Sequence, residues 1–157
     1  MNDPQDRSAI ARSIIDTNLY MVLGTADEAG HPWVSPVYYA VDEYRDFYWV
    51  SSPHATHSRN IAVRPEISIV VFDSAVPIGT GQGVYMSAVA GEVLAAELVR
   101  GIDIFSRRSL SHGGEEWTVQ DVQRNDSLRL FRATASAHSM LARDDRPDHR
   151  IAVNLSE

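Results

Sequence analysis

Hydrophobic positions follow a helical period near the start of the chain and form short continuous runs after it. Ile10, Ile14 and Ile15 lie on one face of an amphipathic helix, which we expect to begin at Pro4. The later apolar runs are bounded by turn residues and are rich in β-branched and aromatic side chains, which predicts strands. These strands are expected at 19–25, 33–41, 47–50, 67–72, 84–94 and 128–141.

Two further helices are predicted between the strands. A short one carries His57 to Asn60 and stops at Pro65, because proline is poorly tolerated inside a helix. A longer one runs between Ala95 and Leu110, where apolar residues recur at helical spacing. Within the fifth strand, Gly91 predicts a bulge or a close approach of another backbone.

The pattern as a whole indicates a mainly β protein with six strands and three helices. Most strands are joined as antiparallel hairpins, and a sheet of this size tends to close because closure removes exposed edges. We therefore expect a small β-barrel with peripheral helices, formed by one domain over 1–157. Residues 1–18 hold the N-terminal helix, and the charged segment 142–157 is predicted to be a loosely held tail.

Composition excludes several classes of function. The net charge is −7 and the basic residues are scattered, whereas nucleic-acid binding needs a concentrated positive face. The apolar runs are too short to cross a membrane, and the first residues lack the pattern of a secretory signal. There is no cysteine and therefore no disulfide. A cytoplasmic protein without a nucleic-acid or membrane partner is expected.

The segment between the third strand and the short helix carries the clearest chemical signal. Ser51 and Ser52 lead into the helix, and His57 and Arg59 lie in its first turns. The first N–H groups of a helix have no partner within it, and the helix dipole favours an anion there. This arrangement predicts a phosphate site. By contrast, the glycines of 79–83 precede a strand and are interpreted as a connector.

No metal site is predicted. His54 and His57 are three residues apart and could share a helix face, but no third ligand is placed to complete a site.

The block 30–73 resembles the pyridoxamine 5′-phosphate oxidase-like family of flavin-binding split barrels. The order and spacing of several short motifs carry this resemblance: Gly30, Pro32, Val34-Ser35-Pro36-Val37-Tyr38-Tyr39, Phe47-Tyr48-Trp49-Val50-Ser51-Ser52, and Asn60-Ile61 followed by Pro65. Weaker similarity continues through 83–93 and 128–132.

This resemblance implies a six-stranded antiparallel split barrel and a homodimer with flavin mononucleotide (FMN) at the subunit interface. The cofactor-binding residues that it implies are Ser35, Pro36, Val37, Val50, Ser51, Ser52, Thr56, His57, Ser58 and Arg59. Because cofactor sites are mostly apolar with a few polar groups, we take Tyr38, Tyr39, Met86 and Trp117 as candidates for the walls of a substrate pocket.

Some positions depart from the family pattern. His57 aligns where many relatives have lysine, and Ser35 and Ala40 fall near an arginine and a lysine of the true oxidase. The Arg-Leu-x-Pro motif of that oxidase is also absent, so oxidation of vitamin B6 is not expected.

The sequence therefore predicts an FMN-dependent oxidoreductase acting on an unidentified small molecule. No catalytic side chain is assigned, because hydride chemistry belongs to the flavin. Three alternatives remain open at this point: a reductase that uses a deazaflavin coenzyme, a non-catalytic protein that binds flavin or haem, and a structural dimer with an empty pocket.

Overall fold

The computed structural model describes residues 3–124 and 127–156, and within them eight strands form one antiparallel sheet. The strands are β1 Tyr20–Ala26, β2 Pro32–Tyr38, β3 Ala40–Asp42, β4 Asp46–Ser51, β5 Glu66–Phe72, β6 Gly83–Glu92, β7 Arg129–Leu141 and β8 Arg150–Ala152. The helices are α1 Pro4–Thr17, α2 Thr56–Val63 and α3 Ala95–Ser111, with a short 3-10 turn at Val119–Val122.

The sheet is curled into a split barrel. Its strand order is β2-β1-β5-β6-β7-β4-β3, and β8 pairs with the free part of β7. The two edge strands β2 and β3 are separated along the chain only by Tyr39. One residue cannot cross an open sheet, so the two edges must approach each other there. The predicted fold class is confirmed, with two strands more than the six expected.

The first additional strand arises because the predicted strand 33–41 is interrupted. Tyr39 leaves the ladder and points into the core, where its side chain is fully buried and its hydroxyl donates to the carbonyl oxygen of Ile15. The chain resumes as β3, which pairs with β4 through a turn at Glu43 and Tyr44. Both turn residues have positive φ, near 51° and 54°.

The second additional strand lies in the tail. The described part of the predicted tail, residues 142–156, is not uniformly loose, because β8 pairs with β7 and both Val153 and Leu155 are buried. Ser8 of α1 donates a hydrogen bond of 2.8 Å to the carbonyl oxygen of Asn154. The sequence pattern did not predict this strand, because the apolar segment is short and follows a run of charged residues.

The bulge lies elsewhere than predicted. Gly91 pairs in regular register with Arg132, and a Cβ atom on it would meet no heavy atom within 4 Å. The register instead shifts between Ser87 and Ala88, opposite Ser136 of β7. The hydroxyl of Ser136 donates to the carbonyl oxygen of Ser87 at 3.1 Å. The bulge prediction at Gly91 was therefore wrong.

The barrel interior holds the main core. Trp49 is fully buried and stacks on Phe131 with ring centroids 5.6 Å apart. Helix α1 covers this core through Ala11 and Ile15, which are fully buried, and through Ile10 and Ile14, which are partly buried. Asp3 caps α1, since its carboxylate accepts from the backbone N–H of Gln5. None of the helices in the described part of the chain is long and apolar enough to span a membrane.

Helix α3 packs on the outside of the barrel around a close contact at Gly101. A Cβ atom at this position would lie 2.9 Å from Leu130 Cδ2 and 3.0 Å from Tyr48 Cε1. Glycine therefore allows the helix to approach β4 and β7 more closely than a larger residue would. This contact also positions the segment after α3, which contributes to the site described next.

Candidate functional site

An open cleft of about 500 Å³ lies between β2, the end of β4, α2 and α3. A volume of this size is typical of small-molecule sites. Seven of the residues predicted from the sequence line it: Pro36, Val37, Tyr38, Val50, Ser51, His57 and Trp117. The structure thus brings together residues that are up to 81 positions apart in the chain.

The remaining predicted residues do not line this cleft. Ser58 is buried and donates to the carbonyl oxygen of Ser52 at 2.7 Å, while the Ser52 hydroxyl accepts from the backbone N–H of His54. These two serines shape the turn before α2. Ser35 and Thr56 are partly exposed beside the cleft lining, on β2 and at the start of α2.

Arg59 is exposed, and within the described residues its side chain makes no hydrogen bond or ion pair. It lies two positions after His57 on α2.

Two of the predicted pocket residues belong to the core. Tyr39 is fully buried against α1, and Met86 is 3% exposed inside the barrel. The pattern of strands and helices does not show this. Tyr39 lies in the break between β2 and β3, and Met86 of β6 faces the barrel core.

The polar end of the cleft is formed by Ser51 and α2. His57 Nε2 lies 2.9 Å from Ser51 Oγ. Burial lowers the pKa of His57, so its imidazole is mostly neutral near pH 7. Ala55 occupies the N-cap of α2 and supplies no side-chain hydrogen bond to the first turn. The N–H groups of that turn therefore keep the positive partial charge that attracts an anion.

The other end of the cleft is a wall of four aromatic rings. Tyr20, Tyr38, Phe105 and Trp117 all line the cleft and meet edge to face in that order. Consecutive ring centroids are 6.2, 5.6 and 5.6 Å apart, which lies within the favoured range for aromatic pairs. This aromatic wall gives the cleft an apolar surface suited to a planar ligand.

Hydrogen bonds to α3 hold Trp117 in this wall. The backbone N–H of Trp117 donates to Ser106 Oγ at 2.8 Å, and Ser109 Oγ donates to the carbonyl oxygen of Glu115 at 2.7 Å. Gly113 has φ of +77°, which reverses the chain after α3. The segment from Glu115 to Trp117 is thereby folded back onto the helix.

Sequence reasoning missed three members of this end of the site. Tyr20 was assigned to a strand and Phe105 to the apolar face of a helix, and nothing singled out His112. Tyr38 Oη lies 2.9 Å from His112 Nδ1, and the two rings are perpendicular. Burial and the nearby Arg108 charge lower the pKa of His112. Only the folded chain places these residues together.

The donor set fits a phosphate at one end and a planar ring at the other. A hydroxyl, an imidazole and a helix N-terminus are suited to hydrogen-bond phosphate oxygens. Among the cleft-lining residues that the structure describes, Glu115 is the one carboxylate, and it follows α3 rather than α2. The described residues contain no group of three histidine or acidic side chains able to hold a metal ion.

Comparison of folds finds similar solved structures. A heme binding protein from Mycobacterium smegmatis is 17% identical, with a TM-score of 0.72 over 95% of this chain, and the chain spans 59% of that protein's length. The heme storage protein HutZ from Vibrio cholerae is 23% identical, with a TM-score of 0.64 over 82% of this chain and 89% of that one. An F420 reductase is 16% identical, with a TM-score of 0.60 over 82% of this chain and 94% of that one.

These identities are low enough that the structural similarity shows the fold alone. No protein of curated function matches the sequence significantly. A sequence model of the pyridoxamine 5′-phosphate oxidase family, however, matches residues 9–142. This match includes every strand from β1 to β7 as well as the cleft between them. The chain therefore belongs to the pyridoxamine 5′-phosphate oxidase family.

Proposed function

We propose that this protein binds FMN in the cleft and acts in the cytoplasm as a flavin-dependent oxidoreductase on a small-molecule substrate. The proposal rests on the presence of two features in one cleft. Ser51 and His57 meet the uncapped start of α2 at its polar end, and the aromatic wall forms its apolar end. FMN has the matching parts, a phosphate and a planar ring system.

In this proposal the phosphate is held by Ser51, His57 and the first N–H groups of α2, with Arg59 close by in sequence to offset its charge. Ser35, Pro36 and Val37 lie along β2, which is an edge of the sheet and pairs only with β1 among the described strands. An edge strand offers unpaired backbone groups, and those of β2 suit the polar edge of a flavin ring. The bound flavin supplies the hydride chemistry.

The proposal does not extend to oxidation of vitamin B6. Ala40 is fully buried and Ser35 carries no charge, so neither supplies the cationic group that such a phosphorylated substrate would need at this place. The substrate of this chain is therefore a different small molecule.

Titration of the purified protein with FMN tests the proposal directly. We expect saturable binding of about one FMN per subunit, seen as a shift of the flavin absorption bands and quenching of flavin fluorescence. Parallel titrations with the deazaflavin coenzyme and with haem separate the alternatives, because the three ligands differ in absorption. Saturable binding of either of these, with none of FMN, would refute the FMN assignment.

We further propose a homodimer with the cofactor site at the interface between subunits. The cleft is open in the single chain, which is the form expected when a second subunit completes a site. Dilution that dissociates the dimer should then release FMN, because binding and assembly are linked. Sedimentation and flavin fluorescence measured over the same dilution series check this, and a monomer with undiminished affinity for FMN would contradict the shared site.

A further inference from the structure

We propose that Tyr38, held in position by His112, is a specificity residue that recognises a carbonyl oxygen on a flat, conjugated second ligand lying against the aromatic wall. This inference rests on the proposed function: with the flavin ring along β2, the second ligand would lie between that ring and the aromatic wall. It assigns a role to a pair of residues that the phosphate site does not use. It also defines the chemical class of ligand that the apolar end can accept.

The geometry of the pair fixes the hydroxyl of Tyr38. Its oxygen lies 2.9 Å from His112 Nδ1, and its ring packs edge-on between Tyr20 and Phe105. His112 is itself held at the end of α3, where its backbone N–H donates to the carbonyl oxygens of Arg108 and Ser109. Rotation of either ring would break these contacts, so the hydroxyl is presented in one orientation.

Around this hydroxyl, the aromatic wall presents mainly the apolar faces of its rings. Tyr20 is 59% exposed, and within the described part of the chain no hydrogen bond of its hydroxyl is present. Phe105 adds a ring without a polar group, and Trp117 adds a ring whose single polar group is an N–H donor. A planar apolar ligand can contact these rings, and a single oxygen on it can reach the one hydroxyl that is held in a fixed position. The arrangement therefore favours a conjugated carbonyl compound over an anion or a flexible polar molecule.

The protonation state of His112 decides how Tyr38 uses its proton. A neutral imidazole can accept the tyrosine proton at Nδ1, which competes with a ligand for the same O–H group. A protonated imidazole donates from both nitrogens, so Tyr38 must accept from Nδ1 and its own proton becomes available to a carbonyl oxygen. Recognition of the carbonyl should therefore strengthen as the pH falls through the pKa of His112, which burial and the nearby Arg108 charge hold below its usual value.

Other ionisable groups around the pair do not reproduce this dependence. The positive charge of Arg108 of α3 acts on both Tyr38 and His112, and the ring of Tyr20 of β1 contacts that of Tyr38. Glu115 follows α3, and His57 of α2 lies at the polar end of the cleft. His57 titrates in the same region of pH, but an uncharged ligand at the aromatic wall makes no ion pair with it.

Equilibrium dialysis with 9-fluorenone and fluorene tests the inference. The two probes have the same flat ring system and differ by one carbonyl oxygen. We compare the affinity for fluorenone divided by the affinity for fluorene. For wild-type protein loaded with FMN this ratio should be about five- to tenfold higher than for Tyr38→Phe, as expected for one net hydrogen bond. Tyr85→Phe is the matched control, since it removes a tyrosine hydroxyl from a residue of β6 that does not line the cleft, and it should keep the wild-type preference.

Two variants of His112 test whether this residue positions the Tyr38 hydroxyl and whether its protonation causes the pH dependence. His112→Asn keeps a neutral amide near the Nδ1 position, so the preference for fluorenone should survive without its rise at acidic pH. His112→Ala should lose both the preference and the pH dependence. Equal preferences in wild type and Tyr38→Phe, or no binding of either probe to wild type, would overturn the inference.

Repeating the titration with FMN distinguishes this inference from the proposed function. If Tyr38→Phe weakens FMN as much as it weakens fluorenone, the flavin ring itself contacts Tyr38 and the second-ligand assignment is wrong. If wild type binds no FMN, the proposed function fails. Dialysis of the flavin-free protein then still decides whether Tyr38 recognises the carbonyl group.

Discussion

Replacement of His57 and Arg59 together by alanine is expected to weaken FMN binding about 30- to 100-fold and riboflavin binding less than threefold. FMN and riboflavin share the ring system, and only FMN carries the phosphate. Hydrogen bonds to a charged group contribute roughly 1.5–3 kcal/mol each, and 1.4 kcal/mol corresponds to a factor of ten. The exposure of Arg59 reduces its share. Fluorescence titration of both ligands measures the difference.

A matched control removes the same residue types far from the cleft. His31 and Arg45 are both exposed, in turns of the chain that do not line the cleft, so their double replacement by alanine should leave both affinities unchanged. Equal losses for FMN and riboflavin in the His57 and Arg59 variant would show that the phosphate does not bind at α2.

The same contact predicts the effect of pH. Burial lowers the pKa of His57, so in the free protein its positive charge is largely absent above neutral pH and is gained on acidification. The preference for FMN over riboflavin should therefore increase as the pH falls from 8 towards 6.5, and level off as the phosphate itself takes up a proton near pH 6. His57→Ala should have a flatter profile.

Arg108→Ala is expected to destabilise the fold by about 2–4 kcal/mol. One guanidinium nitrogen of Arg108 donates to the carbonyl oxygens of Ile15 and Asn18 at 3.1 and 2.9 Å, where α1 ends and the chain enters β1. The guanidinium carbon also lies 4.8 Å from the ring centroid of Tyr39. The variant removes this donor from the Asn18 carbonyl, leaves the Ile15 carbonyl with the Tyr39 hydroxyl, and removes the link between α3 and α1. Urea denaturation measures the loss.

The neighbouring arginine provides the control for this experiment. Arg107 has a side chain that is 78% exposed and pairs with Asp103 one turn earlier on α3, so Arg107→Ala should change stability by less than about 0.5 kcal/mol. Arg108→Lys should recover only part of the loss, because an ammonium group lacks the planar fork of guanidinium. Equal stability of the two alanine variants would contradict the structural role assigned to Arg108.

The sequence predicted those parts of the fold whose determinants are local. The apolar face of α1, the stop of α2 before Pro65 and the strands of the hairpins depend on spacing within a few residues, and all are present. The break at Tyr39 depends instead on a hydrogen bond to Ile15, 24 positions earlier. The positive φ of Glu43 and Tyr44 has no compositional signal, since neither is glycine or asparagine.

The two ends of the cleft also differ in how far local sequence predicts them. Ser51 and His57 are six positions apart, so one strand and its following helix suffice to predict that they meet. Tyr38 and His112 are 74 positions apart and meet only because Gly101 lets α3 pack closely on the barrel. Their pairing depends on tertiary contacts that a pattern of strands and helices does not contain.

The contact between Ser8 and Asn154 bears on the order in which the protein folds. It closes a loop of 146 residues, almost the whole chain, and the entropy lost in closing a loop grows with its length. Helix α1 packs on the same core as Val153 and Leu155. During synthesis, α1 must therefore wait for β8 and the residues after it before its packing is complete. The hairpins between them can form earlier, and we expect docking of the two ends to be a late step of folding.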